Sequence, residues 1–321
     1  MTFDEPGDDA RTSEPSNKPD GRRNSVAKRS QASARSIAMH KARALRNEHR
    51  KKDRRNRYLL KGGIAAGLVA IVAIIIVVLV AGIRPPSVGP KNMLSDGIKI
   101  GQGFKAVPTA ALAPDSEPAS SSANPADVID IQIYLDYQCQ LCGDFESTNA
   151  AQISTYLKTG AATIEIHPIA ILDNLSLGTK YSTRAANAAG CVANYSPNSF
   201  FAFSALLFDK EPKENTEGLT DAQLGSLAKK AKAENLTNIT KCISDEKFVT
   251  WVSAATTRAT SGKIANSSVA KIVTAPTIII NGTQYTGALN DSRAFAAAVV
   301  KAAGESYAKV ASPSPSPRLA P

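Results

Sequence analysis

Residues 129–142 read IDIQIYLDYQCQLC, an apolar run followed by two cysteines with two residues between them. The alternation in Ile129–Leu135 predicts a β-strand, and residues 142–158 predict the helix after it. Two cysteines at such a junction form either a redox dithiol or half of a zinc site. The sequence contains no second Cys-x-x-Cys and no histidine pair to complete a zinc site. The motif therefore favours redox chemistry and no metal.

The position of the first cysteine predicts which thiol reacts. A cysteine attacks disulfides as the thiolate, and the N-terminus of a helix stabilises that anion. We therefore expect Cys139 to be the nucleophile, and Cys142, one turn inside the helix, to resolve the mixed disulfide. Gln140 and Leu141 add no cation, which indicates a less oxidising dithiol than one with a histidine between the cysteines. A structural, unreactive Cys-x-x-Cys is the alternative.

The charge of the chain is concentrated at its beginning. The 321 residues carry a net charge of +10, and residues 1–61 hold 17 Lys and Arg against 8 Asp and Glu. Residues 62–83 carry no charge, and at about 1.5 Å per residue they span roughly 33 Å, enough for a hydrocarbon core of about 30 Å. We predict one transmembrane helix, because a cleaved signal peptide has a shorter apolar run nearer the N-terminus.

The flanking charges predict the orientation. Seven Lys and Arg lie within the fifteen residues before the run and two within the fifteen after it, so the N-terminus is expected in the cytoplasm of a single-pass cell-membrane protein. All four cysteines then lie outside, which suits an oxidising compartment. The disordered basic tail either binds anionic lipids or serves only as a topology signal. Nucleic-acid binding is not expected, because Tyr58 is the only nearby aromatic residue.

The rest of the chain is predicted as one folded body with flanking segments. The order of its elements is strand, helix, strand, helical block, hairpin and helix. Thr220 and Asn290 are expected to cap two of the helices. The predicted parts are a basic tail at 1–61, a span at 62–83, a linker with a short hairpin at 84–127, a folded domain at 128–307 with a helical insert at about 178–262, and a disordered Ser-Pro tail at 308–321.

A second motif, Thr274-Ala275-Pro276-Thr277, opens an apolar strand that turns at Asn281-Gly282. A proline is sterically acceptable at the start of a strand. If the Ala275–Pro276 bond is cis, it would expose the backbone of Ala275 beside the dithiol, where an extended substrate could pair with it. An ordinary trans proline is the alternative on spacing alone.

Four stretches together resemble the DsbA-type thioredoxin-fold oxidoreductases, and most closely the membrane-anchored proteins of actinobacteria. They are DYQCQLCGDFE at 136–146, HPIAILD at 167–173, YSTRAANAA at 181–189 and TAPTIIING at 274–282. The resemblance covers about residues 92–305. It implies an α/β, thioredoxin-like fold with a helical insertion, a cis bond at Pro276, substrate binding by Ala275 and Pro276, and no cofactor. It also implies thiol–disulfide exchange on secreted or envelope proteins, with reoxidation by a quinone-linked vitamin K epoxide reductase homologue.

Two departures from that family leave the redox direction open. Gln140 stands where many relatives have Pro or an aromatic residue, and Leu141 replaces the His of the best-known oxidases. Four cysteines permit three pairings. We expect Cys139 and Cys142 to form the catalytic pair and Cys191 and Cys242 a structural disulfide, and a second redox pair is the alternative.

The sequence therefore predicts an enzyme that oxidises cysteine pairs in reduced or misoxidised secreted proteins. A disulfide reductase or isomerase is the alternative within that class. A non-catalytic, membrane-tethered binding module is the alternative outside it. His167, the only histidine after the span, and Trp251 are expected to pack rather than to bind a ligand.

Overall fold

The computed structural model describes residues 87–311 and six isolated helical positions between residues 39 and 52. The chain divides into two compact units, Met1–Ile83 and Arg84–Pro321, and the second holds all four cysteines. The predicted span at 62–83, nearly all of the basic tail and residues 312–321 lie outside the described residues. Of the helices within the described part, none has the length and apolar character needed to cross a bilayer.

Six strands form one mixed sheet in the order β2-β1-β4-β3-β5-β6. The strands are β1 (Ile98–Gly101), β2 (Lys105–Ala106), β3 (Ile129–Leu135), β4 (Ala162–Pro168), β5 (Thr277–Ile280) and β6 (Thr283–Gln284). β3 and β4 run parallel, and every other pair of neighbours is antiparallel. The predicted α/β class and thioredoxin-like order of elements are confirmed.

Between residues 140 and 311 the chain forms seven α-helices. They are α1 (Gln140–Thr159), α2 (Tyr181–Tyr195), α3 (Phe200–Asp209), α4 (Asp221–Lys230), α5 (Leu236–Ser244), α6 (Val249–Ser261) and α7 (Ser292–Ala311). Helices α2 to α6 form the insert between β4 and β5. Thr220 caps α4 as predicted: its hydroxyl accepts the N–H of Gln223, whose side chain accepts the N–H of Thr220 in return.

Both faces of β3 are largely buried, and its two polar residues, Asp130 and Gln132, lie on the face opposite to Ile131 and Ile133. Ile131 and Ile133 belong to the main core, together with Phe145 of α1. Tyr134 points to the other face and joins a smaller cluster that includes Ile279 of β5. The start of α1 is therefore held against a sheet that is covered on both sides.

The segment predicted as a linker packs as part of the domain. Ile98 and Ile100 of β1 are buried, and this strand lies between β4 and the short edge strand β2. Asp96 accepts hydrogen bonds from the indole of Trp251 (3.0 Å) and from the guanidinium of Arg258 (2.6 and 2.8 Å). The predicted hairpin is present, and polar contacts from Asp96 to α6 reinforce it.

Two predicted boundaries differ from the structure. Asp291, not Asn290, caps α7: its carboxylate accepts the N–H groups of Arg293 (2.9 Å) and Ala294 (3.1 Å). The apolar run at 162–172 predicts a strand of that length, whereas the strand ends at Pro168. The chain turns there because the next residues bond to a buried carboxylate near the cysteines.

Candidate active site

The buried carboxylate of Asp136 shapes the turn between β3 and α1. It accepts the N–H of Gln138 (2.9 Å), and on the neighbouring segment those of Ile171 (2.9 Å) and Leu172 (3.0 Å). Its backbone carbonyl accepts the N–H of Cys139 (3.1 Å). This turn places Cys139 directly at the first turn of α1.

Cys139 is the N-cap of α1. Its backbone is extended, and its sulfur accepts the N–H of Cys142 (3.2 Å). Unpaired N–H groups and the positive end of the helix dipole therefore face this sulfur. The thiol of Cys139 donates in turn to the carbonyl of Ala275 (3.2 Å). Cys139 thus lies at the strand-to-helix junction that the sequence predicts.

Cys142 lies one turn inside α1 and is buried. Burial, and next its contact with Cys139, raise the pKa of the Cys142 thiol well above its ordinary value. Cys142 is therefore poorly suited to be the attacking thiolate. No disulfide joins it to Cys139 in this structure.

The second sequence motif meets the dithiol across the end of the sheet. The Ala275–Pro276 bond is cis, as the resemblance implies. Pairing of Thr277 with Tyr134 in the sheet holds this loop beside the end of β3. Pro276 is buried, whereas Ala275 is half-buried and directs its carbonyl at Cys139.

Three exposed apolar residues lie close in sequence to groups of this site. Leu141 lies between the cysteines and is 56% exposed, and Val273 precedes Ala275 by two residues and is 73% exposed. Leu177 is 66% exposed and lies two residues after Leu175, whose carbonyl accepts the side chain of Gln138 (2.8 Å). We call these three residues the apolar rim. Large exposed apolar side chains near a reactive group favour contact with another molecule.

Three carboxyl groups near the dithiol were not predicted as functional. Burial raises the pKa of Asp136 to about 6 and that of Glu146 to about 7. Burial, and then the charge of Cys139, raise the pKa of Glu211 to about 8. Asp136 and Glu146 flank the motif and were within reach of a sequence argument. Glu211 comes from the segment after α3, and only the fold brings it here.

The other predicted residues lie outside this site. A disulfide joins Cys191 of α2 to Cys242 of α5. His167 of β4 is buried and stacks on Tyr134, with ring centroids 4.2 Å apart, and Trp251 is buried in the core. Between residues 87 and 311, no three His, Cys, Asp or Glu side chains cluster as metal ligands would.

Comparison with known proteins places these features in a family. The thioredoxin family model matches residues 124–299, more than half of the chain. The serine/threonine-protein kinase PknE of Mycobacterium tuberculosis is 35% identical over 108 residues, 32% of this chain. That stretch is 19% of the kinase, so the chain spans about a fifth of the length of the curated relatives it matches.

Two solved structures from Mycobacterium tuberculosis are similar as well. Oxidised DsbA is 27% identical with a TM-score of 0.49, over 67% of this chain and 100% of that chain. The reduced disulfide bond oxidoreductase DsbG is 25% identical with a TM-score of 0.49, over 68% and 95% of the two chains. The family match includes both Cys139 and Cys142 and the Ala275–Pro276 loop, and the chain belongs to the thioredoxin family.

Proposed function

We propose that this protein catalyses thiol–disulfide exchange through Cys139 and Cys142. One observation carries the proposal: the sulfur of Cys139 caps α1 and faces the carbonyl of Ala275 at 3.2 Å. The cap stabilises a thiolate at Cys139, whereas burial opposes one at Cys142. The two thiols thus differ in the way that attack and resolution require.

The favoured direction is oxidation of a substrate dithiol by a Cys139–Cys142 disulfide. A substrate thiolate attacks the sulfur of Cys139, and Cys142 leaves as a thiolate and takes a proton. The second substrate thiolate then attacks the substrate sulfur of the mixed disulfide, and Cys139 leaves as a thiolate. Two electrons pass from substrate to protein. The N-terminus of α1 supports this direction, because it stabilises the reduced form.

Substrate recognition is assigned to the loop of Ala275 and Pro276 and to the apolar rim. Cys139 is only 4% exposed, so a substrate has to lie against this loop to reach its sulfur. An extended segment bonded to the backbone of Ala275 would place its own cysteine there. The apolar rim would add contacts that do not depend on a particular sequence. Cysteine pairs in many different proteins would therefore be accepted.

Disulfide reduction is a second candidate, and the carboxyl groups favour it. Asp136, Glu146 and Glu211 lie near the dithiol, and negative charge opposes a thiolate at Cys139. A destabilised thiolate makes the reduced form less stable and the dithiol more reducing. The reduction potential decides between oxidation and reduction. It depends on whether the helix N-terminus stabilises the Cys139 thiolate more than these acids destabilise it.

The location belongs to the same proposal. The uncharged run at 62–83 and the basic residues before it support a membrane anchor with a cytoplasmic tail. The domain would then act outside the membrane on secreted or envelope proteins. A quinone-linked vitamin K epoxide reductase homologue would restore its disulfide, and the basic tail would lie on anionic lipids.

A trapping experiment in cells tests the exchange reaction. In the full chain, Cys142→Ser removes the resolving thiol, so mixed disulfides between Cys139 and substrates should accumulate and disappear on reduction. The control Cys139→Ser/Cys142→Ser should trap nothing. If Cys142→Ser also traps nothing, and the double variant keeps its cellular function, the domain is a non-catalytic binding module.

Equilibration of the full chain with glutathione, followed by alkylation, gives the reduction potential and so distinguishes oxidation of substrates from their reduction. A reduction potential well above that of thioredoxin, about −270 mV, supports oxidation, and a value near or below it supports reduction.

Protease added to intact cells tests the location: it should remove the domain and spare a tag on the N-terminus. Loss of the tag with the domain protected would reverse the proposed orientation.

A further inference from the structure

Glu211 lies over the first turn of α1, although it is 69 residues from Cys142 in sequence. It follows α3, and its carboxylate lies so close to Gly143 that a Cβ at position 143 would overlap it. The next residue holds the same place: the carbonyl of Pro212 accepts the side chain of Gln140 (3.4 Å). The segment after α3 therefore covers the turn that contains the dithiol.

The carboxyl of Glu211 is not neutralised by a partner. Its Oε1 is buried without a hydrogen bond, and among the described residues no cation pairs with it. The adjacent Lys210 binds Asp209 instead (2.7 Å). The titratable groups that interact with Glu211 are all acids: Cys139 at the start of α1, Asp144 in α1, Asp136 in the turn before it, Glu214 in its own segment and Tyr181 of α2.

Two effects then act in one direction on this carboxyl. Burial disfavours its charged form, and a thiolate at Cys139 disfavours it further, so the pKa of Glu211 rises to about 8 with the dithiol reduced. When the cysteines form a disulfide, Cys139 carries no charge, so it no longer raises the pKa of Glu211. Protonation of Glu211 is thereby linked to the redox state of the cysteines.

We propose that Glu211 is a positioning residue that takes up a proton when the Cys139–Cys142 disulfide is reduced, so that Cys139 can remain a thiolate. This inference rests on the proposed exchange reaction. Two substrate thiols lose two protons and two electrons, and a disulfide forms between them. One proton goes to Cys142 and the other to the carboxylate of Glu211, while Cys139 keeps the negative charge that Glu211 loses. Charge and protons balance without release to solvent.

The test compares the full chain with Glu211→Gln and with the matched control Glu217→Gln, which removes an exposed charge from the same segment. The glutathione equilibrium constant is measured for each at pH 6 and pH 9. At pH 9, we expect the equilibrium constant of Glu211→Gln to favour the reduced form by about three- to tenfold over that of the native chain, the size of a half- to one-unit coupling. At pH 6 the ratio of the two constants should approach one, and Glu217→Gln should follow the native chain at both pH values.

A second readout is the thiolate absorbance near 240 nm of the reduced proteins as a function of pH. We expect the native curve to be broader than that of Glu211→Gln, because two coupled groups titrate in it. Glu211→Ala, which also removes the charge, must reproduce the pH trend. The inference is overturned if the two variants disagree, or if both match the native chain at pH 9 while exchange continues. If the native chain exchanges no disulfides, the proposed function fails instead.

Discussion

At the scale of single residues, a helix N-terminus and three acids, one buried and two half-buried, act in opposite directions on the dithiol. The N-terminus of α1 stabilises a thiolate at Cys139, and Asp136, Glu146 and Glu211 oppose it. Asp136 also fixes the turn by accepting three backbone N–H groups, so its charge has a structural use. Glu146 is half-buried, and no hydrogen bond to its carboxyl is found among the residues that the structure describes. Its effect on stability is therefore open to a direct test.

We predict that Glu146→Gln stabilises the protein above neutral pH. A glutamate titrates near pH 4.5 in the unfolded chain, whereas burial raises the pKa of Glu146 to about 7 in the folded protein. The folded state binds the proton more tightly, so stability falls as pH rises from about 4.5 to about 7 and stays low above it. Removal of the charge should increase the free energy of unfolding by about 1–3 kcal/mol at pH 8 and by almost nothing at pH 4.

Denaturation in urea at both pH values measures this difference. Glu234→Gln is the control, because Glu234 is an exposed carboxylate away from the dithiol. Equal effects of Glu146→Gln at pH 4 and pH 8 would show that the carboxyl of Glu146 is not held neutral by burial.

The same residues show what the sequence can reveal about a site. Cys139 and Cys142 were predicted from spacing and from the strand before them, because both signals are local. The Ala275–Pro276 loop required the resemblance, since spacing alone left the cis bond undecided. Glu211 had no local signal, because its proximity to the dithiol depends on where α3 ends against α1.

At the scale of elements, the segment before β3 shows what tertiary contacts add to composition. Residues 108–127 are rich in Ala, Pro and Ser, which indicates a loop, and the structure contains no helix or strand there. The hairpin before them is predicted from its glycines, but its place in the central sheet is not. Two contacts explain this: β1 pairs with β4, and Asp96 bonds to two residues of α6. Both join positions far apart in sequence, so neither produces a local pattern.

We predict that Asp96→Ala lowers the free energy of unfolding by about 2–4 kcal/mol. The substitution leaves the guanidinium of Arg258 and the indole of Trp251 without their acceptor in a largely buried position. Urea denaturation at pH 7 measures the loss, and Asp127→Ala, at an exposed position, is the control. A loss below about 1 kcal/mol would mean that pairing of β1 with β4 holds the segment by itself.

At the scale of the whole domain, the central sheet and the insert contribute different residues to the site. The sheet brings Cys139 and the Ala275–Pro276 loop together, and its strands were predicted because their apolar patterns are strong. The insert supplies Glu211 and Leu177 to the same site. Its helices were predicted from periodicity, but their packing was not. α2 contains five buried alanines, at 185, 186, 188, 189 and 193, which let neighbouring helices approach closely.

The last prediction concerns the disulfide that closes this insert. The bond between Cys191 and Cys242 spans a sequence separation of 51 residues, and in the chain-entropy model a loop of that length contributes about 4 kcal/mol. Cys191→Ala/Cys242→Ala should therefore lower the free energy of unfolding by about that amount. The glutathione equilibrium of Cys139 and Cys142 should stay unchanged, because the sheet and the start of α1 position them. A loss below about 1 kcal/mol would show that packing alone holds α2 and α5 together, and a shifted equilibrium would show that this disulfide also fixes the position of Glu211.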